Sequence, residues 1–527
     1  MRNPLSLNYG RISWILMMVL MAFVCQPLAA DGAADEAAIR VTVERFVIDG
    51  ESPLTQNRID EALKPYTGRP LAFADLEDAT GALQSAFVDA GFPFYRVLLP
   101  PQRIADGQVR LKVVALTLKN IRVEGNQHFD EANLLRSLPP LKVGESPNTL
   151  EVARALQFAN EYPSKRVAAF VKQAADGEGI DARIAVRDTR PYTIFGSINN
   201  TGTKDPGRTR TAVGLQHSNL FNRDHVLTAT YTTSPDNVDD VTQYGVNYRL
   251  PLYTLATELE AFYSYSEVDQ GAIGDFFDVS GRGQFYGFNL NHTLIPVGAY
   301  NHKVSLRYQD RFFDNETRFL GTLLLPDVRT TPLGIRYSAS YEPKNLVIGA
   351  YAGWEVNTGL GSDNDPENYQ ANREGGDRQW NKFTGGGHLQ WVLPGDFQFK
   401  GRFNGQYSDQ RLIPGEQFGI GGSGSVRGYE GREVTGDYGI QGSLEAWSPL
   451  LFFDTQIFVF GDAGLVRRHA PHPGTEDRDG ISSIGVGLHW NWKGYLDASC
   501  EVAHALENAV TTEAGDTRFL YQIFLRY

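Results

Sequence analysis

The chain has 527 residues, too many for one ordinary domain and enough for about two to four. Its formal charge of -13 gives no net attraction to phosphate and excludes general nucleic-acid binding, and two cysteines exclude a disulfide framework or a thiolate metal cluster. Aromatic residues make up 12% and glycines number 54, yet beyond the amino-terminal segment no run of about 18 apolar residues exists to cross a membrane as a helix.

Residues 1–30 differ from everything after them. Arg2 and Arg11 precede the apolar run Ile12 to Val24, and Leu28, Ala29 and Ala30 offer small residues for cleavage. This is the pattern of a secretory signal peptide rather than of a retained anchor. Val24 is not small, so Cys25 is not expected to carry a lipid. Removal of the segment takes the charge to -15 and leaves Cys500 as the only thiol.

From residue 39 to 188 the pattern is mixed α/β and repeats once, with units expected at 39–116 and 117–188. In the first, a β-rich run Val41 to Ile48 leads through Gly50 to a helix-like Leu54 to Leu63. A longer helix follows, with Leu76, Ala79, Leu83, Phe87 and Ala90 at steps of three and four and Gly91 as its stop. Strands Phe94 to Leu99 and Gln108 to Leu116 complete the unit. The second copy starts at Leu118 to Gly125, has helices near Glu131 to Ser137 and from Pro147, and ends in strands Arg166 to Lys172 and Asp181 to Asp188. The order is β-α-α-β-β, twice, each unit packing helices on one sheet face.

Within the first unit Pro65, Tyr66, Gly68 and Arg69 stand between the helices, and Pro100, Gln102, Asp106 and Gly107 stand before the last strand. Singly, each punctuates a turn. In this order they resemble the POTRA domain of two-partner secretion transporters.

After Arg190 helical periodicity stops. Sixteen segments alternate apolar and polar residues, from Tyr192 to Asn199 through Arg518 to Tyr527. In Phe397 to Ser408, for example, Phe399, Phe403 and Tyr407 alternate with Lys400, Arg402 and Asn404. Short connections alternate with long ones such as Asp269 to Gly281, Gly361 to Asn381, Asp409 to Asp437 and Val466 to Gly480. An even number of two-faced strands with short and long ends segregated is expected to close as a transmembrane antiparallel barrel over 190–527, since an open sheet would leave bare edges in lipid. The chain ends on Phe519, Tyr521, Ile523, Leu525 and Tyr527, a last lipid-facing strand that resembles the signal by which outer-membrane barrels are recognised for insertion; relatives often end in Phe.

The long connection before the twelfth segment contains Phe418 to Arg432, too rich in glycine for a helix or an ordinary strand. It carries Val426, Arg427, Gly428 and Tyr429, and the next segment carries Phe460, Asp462 and Gly464. A loop of this length loses much entropy on ordering, so fastening Arg427 to an inward Asp462 would offset part of that cost and fix the loop tip inside the barrel. The alternative is a solvated arginine and a turn aspartate. In a wet lumen the pair is expected to contribute only about 1 kcal/mol.

These two stretches resemble the VRGY and F-x-D-x-G motifs of the superfamily that holds TpsB two-partner secretion proteins, of the ShlB/FhaC/HecB type, and BamA-like assembly factors. The resemblance implies a bacterial outer-membrane pore with POTRA domains in the periplasm. It also implies secretion of a haemolysin- or adhesin-like partner exoprotein, which the POTRA domains capture unfolded. Implied partners are that exoprotein, outer-membrane lipid, the barrel assembly machinery and periplasmic chaperones; no cofactor or metal is implied. An assembly factor that inserts other barrels is the alternative. TpsB proteins commonly carry a plug helix before the first POTRA domain, and Asp31 to Arg40 would span only about 15 Å as a helix, so that helix is expected to be missing.

An enzyme is not expected. Gly421 to Ser425 has Ser425 where a nucleophile elbow needs glycine, and no H-E-x-x-H spacing occurs. His469 and His472 read as solvated, and Asp363, Asp365 and Glu367 read as an acidic outer loop rather than a calcium site.

Overall fold

The computed structural model describes residues 40–204, 207–238, 241–267, 271–273, 277–279, 282–315, 317–319, 322–469 and 477–527. The expected signal peptide, Cys25, nearly all of the segment expected to lack a plug helix, and His472 lie outside the described residues.

Two small α/β units lead into one large barrel. In the first, helices Gln56–Leu63 and Phe73–Asp89 lie on a three-stranded sheet in which Arg45–Asp49 and Gln108–Ala115 run parallel and Tyr95–Leu98 is antiparallel. The helix stripe Leu76, Ala79, Leu83 and Phe87 is buried against Val97, Val109 and Leu111 of that sheet. The run expected as one strand from Val41 is broken at Glu44. Its N–H, like that of Arg45, donates to the carbonyl of Gly107, so Val41–Val43 turns aside to pair with Arg69–Leu71.

The second unit repeats the plan with helices Glu131–Arg136 and Thr149–Ala159 on strands Leu118–Glu124, Lys165–Gln173 and Ile180–Asp188. Asp130 and Asn148 cap its helices, each side chain accepting from first-turn N–H groups. The long helix therefore starts after Asn148, not at Pro147.

This second unit is docked on the barrel's near end. Phe158 and Tyr162 pack with Val226 and Tyr253, both beside short turns between barrel strands. Lys165, 1% exposed, donates to Asp224 at 2.7 Å and to Asn133 at 3.0 Å, while Tyr162 donates to Glu258 at 2.9 Å.

The barrel closes through sixteen antiparallel strands. The first is Tyr192–Asn199 and the last, Thr517–Arg526, pairs with it from Gln522 and Asn199 to Arg526 and Phe195. The eighth is one strand in two pieces, Val328–Thr330 and Pro332–Tyr341, both paired with Tyr300–Phe313. It is interrupted at Thr331, whose N–H turns to the Asn357 side chain and whose successor Pro332 has no donor.

Outward residues are apolar: Ile440 and Leu444 on the twelfth strand, Tyr438–Trp447, and Ile457 and Val459 on the thirteenth, Thr455–Arg467, all face out. Inward neighbours are polar, among them Ser443 and Asp462. The thirteenth and fourteenth strands, the latter Arg478–Trp492, run several residues past the ends expected at Asp462 and Ile481. They stay paired to Arg467 and Arg478.

Candidate functional site

The connection Asp409 to Asp437 between strands eleven and twelve is not a plain glycine-rich loop. Phe418–Ile420 pairs with Val434–Gly436 as a small hairpin that packs on the thirteenth strand, and Ile420, Val426, Tyr429 and Val434 share a buried cluster with Val466 and Ile481 of the wall. Beyond the hairpin the chain carries Val426 to Tyr429 against the inner surface. At Gly428 the backbone has φ +98°, a conformation L side chains rarely adopt.

Arg427 is 3% exposed. Its Nε donates to Asp462 Oδ2 at 2.7 Å and its Nη2 to Asp462 Oδ1 at 2.8 Å, a two-pronged pair, and its backbone N–H donates to the same carboxylate at 3.1 Å. Three further inward groups close around it: Ser443 at 3.0 Å, Glu445 at 2.9 Å and Glu501 at 3.3 Å. The guanidinium lies 3.5 Å from the centre of the Phe460 ring, a cation-π contact. Phe460 itself fits only because Gly485 on the fourteenth strand lacks a side chain, since a Cβ there would lie 2.3 Å from the ring.

Burial corrects the energetic expectation. The Asp462 side chain is fully buried and that of Arg427 is 4% exposed, so water does not screen the pair. Removing Arg427 would leave the buried Asp462 carboxylate without a cation, a change that costs about 3–5 kcal/mol rather than about 1. The pair is also a directional fork, which sets where the loop tip rests.

Tyr429 continues the attachment. Its hydroxyl donates toward the carbonyls of Ser482 and Glu507 at 2.9 and 3.0 Å, and Arg518 of the last strand donates to its carbonyl at 3.0 Å. Gly464 lets Ile420 approach the thirteenth strand: a Cβ at Gly464 would stand 3.0 Å from the Ile420 side chain.

The other residues singled out in the sequence are not gathered here. Pro65 and Tyr66 form a single 3-10 turn, Gly68 holds φ +72°, and Arg69 pairs with Asp75 at 3.0 Å on the surface. Gln102 bridges the carbonyl of Pro100 and both backbone groups of Arg110, and Asp106 and Gly107 make the positive-φ turn that receives Glu44. All these partners lie within the first α/β unit. Phe519, Ile523 and Leu525 point outward on the last strand, with Tyr521 beside them, and Tyr527 exchanges two backbone bonds with Ile194 across the barrel seam. Ser425 bonds Gln441 and has no histidine partner. Asp365 caps the short helix Pro366–Asn372, and among the described residues no cluster suited to a metal occurs.

The sequence marks Ser443, Glu445 and Glu501 only as water-facing positions of their strands, not as partners of Arg427. The alternation that sends Asp462 inward also sends Ser443 and Glu445 inward on the neighbouring strand and Glu501 on the fifteenth. Their register opposite the loop was the missing signal.

Comparison with known proteins agrees with this architecture. A family model described as haemolysin secretion/activation protein ShlB/FhaC/HecB matches residues 178–490, more than half of the chain, and a ShlB-type POTRA domain model matches residues 41–115. The heme/hemopexin transporter protein HuxB of Haemophilus influenzae is 21% identical over 472 residues, covering 85% of this chain and 80% of the relative. The hemolysin transporter protein HpmB of Proteus mirabilis is 24% identical over 471 residues, covering 85% and 79%. Among solved structures, CdiB from Escherichia coli superposes with a TM-score of 0.73 at 17% identity, covering 95% of this chain and 93% of that one. The chain belongs to the ShlB/FhaC/HecB haemolysin secretion/activation family, outer-membrane transporters for secreted exoproteins.

Proposed function

We propose that this transporter receives a large, haemolysin- or adhesin-like exoprotein unfolded in the periplasm and conducts it outward through the barrel, with the loop around Arg427 as the pore's displaceable occupant. The observation that carries the reading is the buried fork between Arg427 and Asp462, which holds a loop from the outer end against the inner wall. A loop held by charge-assisted bonds is positioned firmly yet can be released without unfolding a strand.

Capture would use backbone pairing. Each α/β unit leaves open sheet edges, and Lys165–Gln173, paired on one side only, is the longest at nine residues. An extended segment could add there as a further strand, with affinity from main-chain bonds and little demand on sequence. Domain limits of 39–116, 117–188 and 190–527 fit this division of labour. Contacts with outer-membrane lipid follow from the apolar outer band, and dealings with the barrel assembly machinery and periplasmic chaperones during biogenesis would use the terminal strand Phe519 to Tyr527.

The test is appearance of a co-expressed exoprotein in the medium. Wild-type chain should export it, and Arg427→Ala should insert normally but lower export at least about tenfold. Wild-type export from that variant would reject the role given to the loop.

A further inference from the structure

The VRGY stretch is not the only point at which this loop is fixed inside the barrel. At its root the single turn Pro414–Glu416 aims a carboxylate at a different part of the wall. Glu416 is 2% exposed. Its Oε2 accepts from Arg311 Nη1 and from Lys382 Nζ, each at 2.6 Å, and its Oε1 accepts from Thr330 Oγ1 at 2.6 Å. These partners come from the seventh, tenth and eighth strands, whereas Arg427 is held by strands twelve, thirteen and fifteen.

The two parts of the wall carry opposite charge. Arg307, Arg311, Arg336 and Lys382 line one cavity with Glu416. The wall's own carboxylate there, Glu355, is shared among Arg307 at 3.6 Å, Arg311 at 3.4 Å and Lys382 at 3.9 Å. Around Arg427 the wall supplies Asp462, Glu445 and Glu501. The loop thus sets the Glu416 carboxylate on the basic wall and the Arg427 guanidinium on the acidic wall. Exchanging the two would bury like charges together.

We propose that Glu416 is a second positioning residue of the pore, a root anchor that with Arg427 holds the loop between the basic and acidic walls, so that the channel opens only when both anchors release. This rests on the reading of the loop as the pore's occupant. Release of Glu416 has an electrostatic consequence that a packing role would lack. It leaves Arg307, Arg311 and Lys382 facing the lumen with Glu355 as the nearby counter-charge, and a cationic constriction favours anions.

Planar-bilayer recording of the purified full chain in KCl tests this with Glu416→Gln, Glu416→Asp, Arg427→Ala and the double variant Glu416→Gln/Arg427→Ala. Glu416→Gln should raise the open fraction at least about tenfold, equivalent to about 1.4 kcal/mol, and shift the reversal potential toward that of chloride. Glu416→Asp, which keeps the charge, should restore most of the closure and selectivity, and the double variant should exceed either single one. If Arg427→Ala opens the pore while Glu416→Gln matches wild type in open fraction and selectivity, the root anchor is rejected and the loop reading stands. If both singles and the double variant stay closed, the loop reading falls and this inference with it. Should Glu416→Gln not insert, Thr330→Val and Lys382→Gln loosen the same anchor from the wall side and should open the pore; wild-type closure of both rejects the proposal.

Discussion

Arg427 illustrates why a lysine would not serve in its place. Its fork meets both oxygens of Asp462 while the remaining nitrogen reaches Glu501, and the flat face lies on Phe460. A lysine keeps the charge but loses the planar fork and the ring stacking. Arg427→Lys should therefore insert normally and export less than wild type but more than Arg427→Ala, read as secreted exoprotein per folded barrel. Gly485 gives a second prediction at this scale. A Cβ there meets both Phe460 and the Val502 carbonyl, at 2.3 and 2.2 Å, so Gly485→Val should tilt Phe460 from under Arg427. The expected loss is about 1–3 kcal/mol of barrel stability, measured as a lower temperature of heat-modified mobility. Arg427 and Asp462 were legible from their motifs because an arginine in a glycine-rich loop and an aspartate on an alternating strand each stand out from their surroundings. Glu416 was not: one glutamate among many in an acidic chain gives no sign that three strands converge on it.

At the scale of elements, the loop is held as a unit along its length. Besides the Arg427 and Glu416 contacts, Glu433 accepts from Thr511 and Thr512 of the last outer loop, and Asp437 accepts from Arg373 and from the N–H groups of Leu412 and His469. Burial of Asp437 works to raise its carboxyl, but the Arg373 fork and the two N–H groups outweigh it and hold the carboxyl below its ordinary 3.8. A carboxyl depressed on folding stabilises the fold fully above its unfolded value, and that contribution fades as pH falls through the lower folded one. Protease sensitivity of the outer loops should therefore be unchanged between about pH 7 and about pH 5 and rise only below 3.8. The docked second α/β unit makes another prediction. Lys165→Met strips the buried Asp224 of its cation, leaving Tyr253 as a neutral donor at 2.7 Å. The docking contact should weaken by about 3–5 kcal/mol, seen as faster proteolysis between the unit and the barrel with the barrel itself still inserted.

For the whole molecule, the plan was legible and the contacts between its parts were not. Period-two alternation in sixteen segments reports a two-faced wall directly, because each strand must solve the same problem of lipid outside and water inside. The paired α/β units were legible for a like reason, since helix stripes such as Leu76, Ala79 and Leu83 bury against one sheet face. Strand ends were less so: once Phe460 and Asp462 are inward, the thirteenth strand has no local reason to stop, and it continues to Arg467. The break at Glu44 and the docking of Tyr162 on Tyr253 and Glu258 depend on residues far apart in the chain, which periodicity does not report.

The loop tip rests against the inner wall, and cross-linking reads that position directly. Ser425 and Gln441 bond side chain to side chain across the loop and the twelfth strand. In a Cys500→Ser background, Ser425→Cys with Gln441→Cys should form a disulfide in intact outer membranes and block export of the exoprotein, with reduction restoring both the free thiols and export. Cysteines that stay unlinked under oxidation, or a linked form that exports at the wild-type rate, would contradict a loop that occupies the pore and must leave it.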